Sequence, residues 1–103
     1  TTMKLIELNI HKILELCKLH KVKTLCVFGS ILTPRFTNRS DIDFLVRFKK
    51  DEIGLNDYAD NFFGFQFALE DLLGRPIDLV CEDAITNPYF LKEVESTKLP
   101  IYG

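Results

Sequence analysis

Two kinds of hydrophobic pattern alternate along this chain, and their order constrains the fold more than any other feature. Long segments carry apolar residues at every third or fourth position, which is typical of amphipathic helices. Shorter continuous apolar runs are typical of buried strands. The helices predicted in this way span residues 5–20, 55–73 and 89–94, and the strands span 24–28, 41–48, 76–80 and 99–102. This order predicts one α/β domain.

The size and composition of the chain fit a single domain that covers residues 3–103. The chain has 103 residues, of which 47% are hydrophobic, so it can bury one core but not two. Thr1 and Thr2 precede Met3 and are interpreted as a remnant of expression. No signal peptide and no apolar run of membrane-spanning length is visible, so we expect a cytoplasmic protein that does not enter a membrane. The three widely spaced cysteines are expected to be free thiols.

The net charge limits the classes of ligand. It is only −2, whereas a nucleic-acid-binding domain is usually basic, so direct binding to DNA or RNA is not expected. A single nucleotide remains possible, because a metal ion can supply the positive charge locally.

Two aspartates open the second predicted strand. Asp41 and Asp43 are two residues apart, so in a strand their side chains project from the same face, while Ile42 and Phe44 project from the other. Two neighbouring carboxylates repel each other unless a cation lies between them. Mg²⁺ commonly binds through one or two carboxylates and the phosphates of a substrate. The pair therefore predicts half of a metal–nucleotide site, although an acidic, solvated strand end is the simpler explanation of the tripeptide alone.

A third aspartate lies in another apolar strand. Asp78 is flanked by Ile77, Leu79 and Val80, and an unpaired buried charge is costly. One explanation is an ion pair with an arginine such as Arg75 at the end of the strand. The other, which we favour, is that Asp78 lies beside Asp41 and Asp43 and completes a metal-binding triad.

A glycine and a serine end the first predicted strand. Gly29 lets the backbone approach a ligand closely, and the amides and hydroxyl of Gly29-Ser30 can hold phosphate oxygens. Such a dipeptide is also common in ordinary turns. The dipeptide is a stronger indication of a phosphate site here, because it precedes the Asp41 and Asp43 pair, with ten residues between Ser30 and Asp41.

These motifs together resemble a known family. Residues 27–30 (VFGS), 40–46 (SDIDFLV) and 74–80 (GRPIDLV) are similar to the signature of the DNA polymerase β-type nucleotidyltransferase superfamily. The chain is identified as similar to its minimal members, the MNT-type proteins that are commonly antitoxins of HEPN-domain toxins. The resemblance implies a polymerase β-like fold, with a small mixed sheet flanked by helices.

The resemblance also implies a reaction. It is a Mg²⁺-dependent transfer of AMP from ATP to a hydroxyl, such as a tyrosine of a partner HEPN toxin. Asp41, Asp43 and Asp78 would be catalytic and hold two Mg²⁺ ions, and Gly29 and Ser30 would hold the triphosphate. Many minimal members have an arginine three residues after the serine, where this chain has Thr33. Arg35 is our candidate for that phosphate contact, with Arg39 as the alternative, and a solvated loop arginine explains either residue equally well.

Two other functions stay open at this point. A binding subunit could neutralise a HEPN toxin by association alone, although retention of all three carboxylates favours an enzyme. Transfer to an RNA end or to a small molecule such as an aminoglycoside is less favoured, because the chain is short for a second domain that would grip such acceptors. The phenylalanines of the 55–73 segment exceed one helical stripe. They predict either a thick core or a surface for a partner, in a homo- or hetero-oligomer.

Overall fold

A computed structural model of the protein describes residues 3–29 and 41–103. Ser30, Arg35 and Arg39 lie outside the described residues. The helices are α1 (Lys4–Leu8), α2 (Ile10–Leu19), α3 (Tyr58–Leu73) and α4 (Pro88–Thr97), and the strands are β1 (Val22–Phe28), β2 (Ile42–Phe48), β3 (Ile77–Cys81) and β4 (Leu99–Tyr102). Every helix in these two stretches is too short or too polar to cross a bilayer.

The four strands form one mixed sheet in the order β3-β2-β1-β4. β1 is antiparallel to both β2 and β4, whereas β2 and β3 are parallel. A parallel pair needs a crossover connection, and α3 provides it between β2 and β3. The predicted α/β class with a small mixed sheet flanked by helices is therefore confirmed.

Helices cover both faces of the sheet. On one face, α1, α2 and α3 pack against the strands, and the core there includes Ile13, Phe44 and Phe65, which are fully buried. On the other face, Val94 of α4 packs with a smaller cluster that includes Leu45. Alternate residues of β2 thus point to different cores, as expected for a strand between two layers.

The N-terminal helix differs from the prediction, because it is broken at Asn9. The side-chain amide of Asn9 donates a hydrogen bond to the carbonyl oxygen of Leu5, at 2.9 Å, and the Asn9 backbone leaves the helical region at φ −113° and ψ 12°. Asparagine often competes with the helix in this way by bonding to nearby backbone groups. The predicted helix over 5–20 is therefore two helices, and the apolar stripe alone could not show the break.

A histidine lies in the contact between α2 and α3. His20, directly after α2, is half-buried. Its Nδ1 lies 3.0 Å from the carbonyl oxygen of Leu16, and its ring lies 5.4 Å from the ring of Phe65. Gly64 of α3 faces the imidazole ring of His20, and a Cβ there would lie 3.5 Å from Nε2, an ordinary van der Waals distance.

Candidate active site

Asp43 and Asp78 lie side by side on adjacent strands. In the parallel pairing of β2 with β3, Asp43 is directly beside Asp78, and in the antiparallel pairing of β1 with β2, Phe28 is directly opposite Asp43. Side chains at paired positions of a sheet lie on the same face. Phe28, Asp43 and Asp78 therefore form one row across three strands, and we call this row the carboxylate row.

The carboxylate row faces the α4 layer. Ile42 and Phe44 belong to the core under α1–α3, so Asp43 between them points to the opposite face. Ile77 and Leu79 flank Asp78 in the same way. β2 shows the predicted alternation, in which Asp43 faces away from Ile42 and Phe44. The pairing of β2 with β3 places Asp78 on the same face as Asp43.

Burial and neighbouring charge act together on Asp43. The half-buried position of this side chain raises its pKa, and the negative charges of Asp78 and Asp41 raise it further. A hydrogen bond between the side chains of Asp43 and Asp78 also favours the protonated form of Asp43, and the pKa reaches about 6. The Asp43 carboxyl is therefore half protonated at about pH 6, because burial and the neighbouring carboxylates both disfavour its charged form.

Asp78 is exposed, contrary to the expectation that its charge would be buried. The physical reason is that β3 is an edge strand, so Asp78 has a neighbouring strand on one side only. Asp43, on the interior strand β2, is the carboxylate that is partly buried, and this burial raises its pKa. Asp41 directly precedes β2 and is also exposed.

Gly29 lies against Asp43. Its φ of 77° is in the left-handed region, which favours glycine, and a Cβ at this position would collide with Oδ2 of Asp43. Glycine thus serves two needs here, a sharp turn at the end of β1 and open space beside the carboxylate. The prediction that Gly29 permits a close approach is consistent with this geometry, although the neighbour that the structure shows is Asp43 rather than a ligand.

The carboxylates fit a metal site that a substrate would complete. Within residues 3–29 and 41–103, no three His, Cys, Asp or Glu side chains are grouped closely enough to hold a metal ion by themselves. The adjacent Asp43 and Asp78, with the charge of Asp41 nearby, instead offer the one or two carboxylates that Mg²⁺ uses together with phosphate oxygens and water. Burial is the main cause of the raised pKa of Asp43, and a cation would relieve the repulsion from Asp78 and Asp41 that adds to it.

Two aromatic residues border the site and had no role in the sequence analysis. Phe28 is in the carboxylate row, and Phe90 of α4 packs on it edge-to-face, with 6.2 Å between the ring centroids. The sequence predicts Phe28 as the last residue of a buried strand and as part of the 27–30 motif, without a role at the site. Its position opposite Asp43 depends on strand register, which the local sequence does not specify.

Comparison with known proteins identifies the class. The family model of the nucleotidyltransferase domain matches residues 10–100 of this chain. A Methanocaldococcus jannaschii protein described as a "putative protein adenylyltransferase" is 43% identical over 76 residues, which are 74% of this chain and 72% of that protein. The chain therefore belongs to the nucleotidyltransferase domain family, the class of enzymes that transfer nucleotidyl groups.

Solved structures agree with this assignment. A structure described as a "putative minimal nucleotidyltransferase" superposes with a TM-score of 0.73 at 30% identity, covering 95% of this chain and 94% of that one. The MNT antitoxin in complex with the tri-AMPylated HEPN toxin of Shewanella oneidensis gives a TM-score of 0.64 at 21% identity, over 94% of this chain and 71% of that chain. The second likeness shows a shared fold. The first confirms that this chain resembles a minimal nucleotidyltransferase over nearly its whole length.

Proposed function

We propose that this protein transfers AMP from ATP to a hydroxyl group of a partner protein, with Asp41, Asp43 and Asp78 as the catalytic carboxylates. The observation that carries the proposal is the pairing of Asp43 with Asp78 on adjacent strands, with Gly29 packed against Asp43. This arrangement concentrates negative charge at one face of the sheet without a structural reason for it. Membership of the nucleotidyltransferase family supports the reaction class.

The carboxylates have separate roles in this proposal. Asp41 and Asp43 would bind Mg²⁺, and Asp78 would share in that binding. Mg²⁺ held by these carboxylates would neutralise the triphosphate and help to align the attacking and leaving oxygens. The exposed Asp78 is available to accept the proton of the acceptor hydroxyl. The hydroxyl oxygen bonds to the α-phosphorus, the bond from that phosphorus to the β-phosphate oxygen breaks, and pyrophosphate leaves.

The nucleotide contacts belong to the end of β1 in this proposal. Gly29 leaves room for a phosphate because it has no side chain and turns the chain sharply. Ser30 and Arg35, which lie outside the described residues, are proposed to contact the triphosphate.

The proposed acceptor is a tyrosine of a HEPN-domain toxin, and the protein would act as its antitoxin in the cytoplasm. Two comparisons support this choice. The Methanocaldococcus jannaschii relative is described as acting on protein, and the Shewanella oneidensis HEPN toxin is AMPylated in its complex with an MNT antitoxin of this fold.

A transfer assay tests the proposal. The protein is incubated with Mg²⁺, ATP and the HEPN protein encoded beside it, with the label placed on either the α- or the γ-phosphate. We expect label on the partner from α-labelled ATP alone, and none in EDTA. Asp43→Asn should lower the rate by at least about 100-fold, since it removes a proposed metal ligand. The matched control is Asp51→Asn, an exposed aspartate in the turn that follows the far end of β2.

Several results would contradict the proposal. Label that arrives from the γ-phosphate would indicate phosphoryl transfer, and transfer that survives Asp43→Asn would remove the carboxylates from the mechanism. Tight binding of the partner without any transfer would indicate a binding subunit instead.

A further inference from the structure

The outward side of α3 has an unusual composition. Its exposed residues there are Asp60, Phe63, Phe67 and Asp71, at spacings of three, four and four residues, so they follow one stripe along the helix. The opposite side of α3 packs into the core through Phe65, Leu69 and Leu73. We call the exposed stripe the α3 outer face.

The two phenylalanines of the α3 outer face form one apolar patch. Phe63 is 51% exposed and Phe67 is 61% exposed, and their rings stack with 6.4 Å between centroids. The ring of Phe62 contacts the ring of Phe63 edge-to-face, with 5.3 Å between the ring centroids. Single exposed apolar residues are ordinary, but a contiguous pair fixed in this way is typical of a surface that a partner covers.

The charged residues of α3 itself have one sign. Helix α3 contains three acidic residues and no basic one, and Asp60 and Asp71 flank the two phenylalanines on the exposed stripe. A groove of about 320 Å³ separates α3 from α2 beside Asp71, where α2 contributes Lys12 and Glu15. The two α2 charges that line this groove are of opposite sign, whereas the charges of α3 are all negative.

This charge pattern decides between two possible occupants. In a symmetric dimer the same patch meets itself, so stacking two α3 outer faces would place acidic residues against acidic residues in either helix direction. A partner with lysine or arginine beside its apolar residues would pair with Asp60 and Asp71 instead. Its cations could also lie over the exposed ring faces of Phe63 and Phe67, which attract positive charge.

We propose that the α3 outer face is a docking surface for a different protein, which presents an apolar helix flanked by lysine or arginine. The surface is remote from the carboxylate row, because α3 covers the face of the sheet opposite to the one from which Asp43 and Asp78 project. A partner held there leaves the carboxylates open. The proposal does not depend on the proposed transfer reaction.

Synthetic peptides provide the test. Two amphipathic helical peptides with the same leucine stripe, one flanked by lysines and the other by glutamates, are titrated into the isotope-labelled full chain and followed by NMR. We expect the lysine peptide to bind at least about tenfold more tightly, with its largest shifts on α3 and with weaker binding at higher salt. The Phe63→Gln/Phe67→Gln double variant should lose that binding. The matched control, Tyr89→Gln, removes an aromatic residue that is 85% exposed on α4, at the other face of the sheet, and should keep it.

Reversal of charge makes the test specific. Asp60→Lys/Asp71→Lys should invert the preference, so that the glutamate peptide becomes the tighter ligand. All of these positions are exposed, so thermal melting should show folded variants. Equal binding of the two peptides, no binding of the lysine peptide, or shifts confined to other helices would overturn the proposal. A dimer of the wild-type chain that Phe63→Gln/Phe67→Gln dissociates in sedimentation would overturn it in favour of a second copy.

Discussion

Replacing Asp43 by asparagine should stabilise the metal-free protein at neutral pH. Burial of its side chain, together with the negative charges of Asp78 and Asp41, raises the pKa of Asp43 to about 6. Asparagine keeps the shape of the side chain and can still donate a hydrogen bond to Asp78, but it carries no charge. The variant therefore removes repulsion from the folded state without leaving a cavity.

The sign and size of the effect follow from proton linkage. Below about pH 4 the Asp43 carboxyl is protonated in the folded and the unfolded chain, so its ionisation costs nothing. Between about pH 4 and 6 the unfolded chain loses this proton first, and the wild-type free energy of unfolding falls. A folded pKa of about 6, against 3.8 for an ordinary aspartate, corresponds to about 3 kcal/mol. Because Asp43 is only half-buried, solvent screening reduces this to about 1–2 kcal/mol.

Urea denaturation in EDTA across this pH range measures the effect. Relative to its value near pH 4, the stability advantage of Asp43→Asn should grow by about 1–2 kcal/mol and level off above about pH 6. For a domain of this size it should raise the melting temperature by about 4–8 °C for each kcal/mol. Asp51→Asn is again the control and should show no such growth. A variant that is less stable than the wild type at neutral pH, or a difference that does not change with pH, would refute the electrostatic reasoning.

Two further predictions concern the end of β1 and the helical core. Gly29→Ala should lower the free energy of unfolding more than Gly74→Ala, as measured in urea. Both glycines have left-handed φ values, for which a side chain costs about 1–2 kcal/mol. Only at Gly29 would the new Cβ meet Asp43, whereas the space at Gly74 is open. Equal losses of stability in the two variants would contradict the contact between Gly29 and Asp43. Cys17 is fully buried, which raises its pKa to about 12, so iodoacetamide at about pH 8 should leave it unmodified until urea unfolds the chain. Modification of Cys17 in the native protein, detected by mass spectrometry, would show that this core opens readily.

Much of the fold could be predicted because local patterns and the final structure agree. Gly74 ends α3 in the left-handed conformation, as its position after the apolar stripe indicates. Asn87 caps α4 by accepting hydrogen bonds from the amides of Tyr89 and Phe90, as a polar residue before Pro88 suggests. Such signals act over a few residues, so the sequence contains them directly.

The structure differs from the predictions where a single side chain or the pairing with a distant strand determines the local structure. At the break, the side chain of Asn9 donates a hydrogen bond to the carbonyl oxygen of Leu5. Helix α4 continues to Thr97 rather than ending near Val94, and there the hydroxyls of Ser96 and Thr97 donate hydrogen bonds to the carbonyl oxygen of Glu93. Helix propensity does not register either effect.

The site divides in the same way. The spacing of Asp41 and Asp43 predicted a shared face, whereas the adjacency of Asp43 and Asp78 depends on pairing between strand residues that are 35 positions apart in the chain. Sequence reasoning also assigned the burial cost to Asp78 instead of Asp43. Which strand is interior and which is at the edge is a property of the whole sheet.

The alternation along β2 has a consequence for how reliably the protein folds. Its residues alternate between Ile42, Phe44 and Val46 on the side covered by α1–α3 and Asp43 and Leu45 on the side of α4. If β2 paired with its neighbours one residue out of step, Asp43 would enter the apolar layer beneath α3, and Phe44 would take its place on the side of α4. That misaligned form would bury a charge without a partner, at a cost of several kcal/mol. The Asp43 carboxylate destabilises the native structure, but it would destabilise this misaligned form far more. It therefore favours the native strand register.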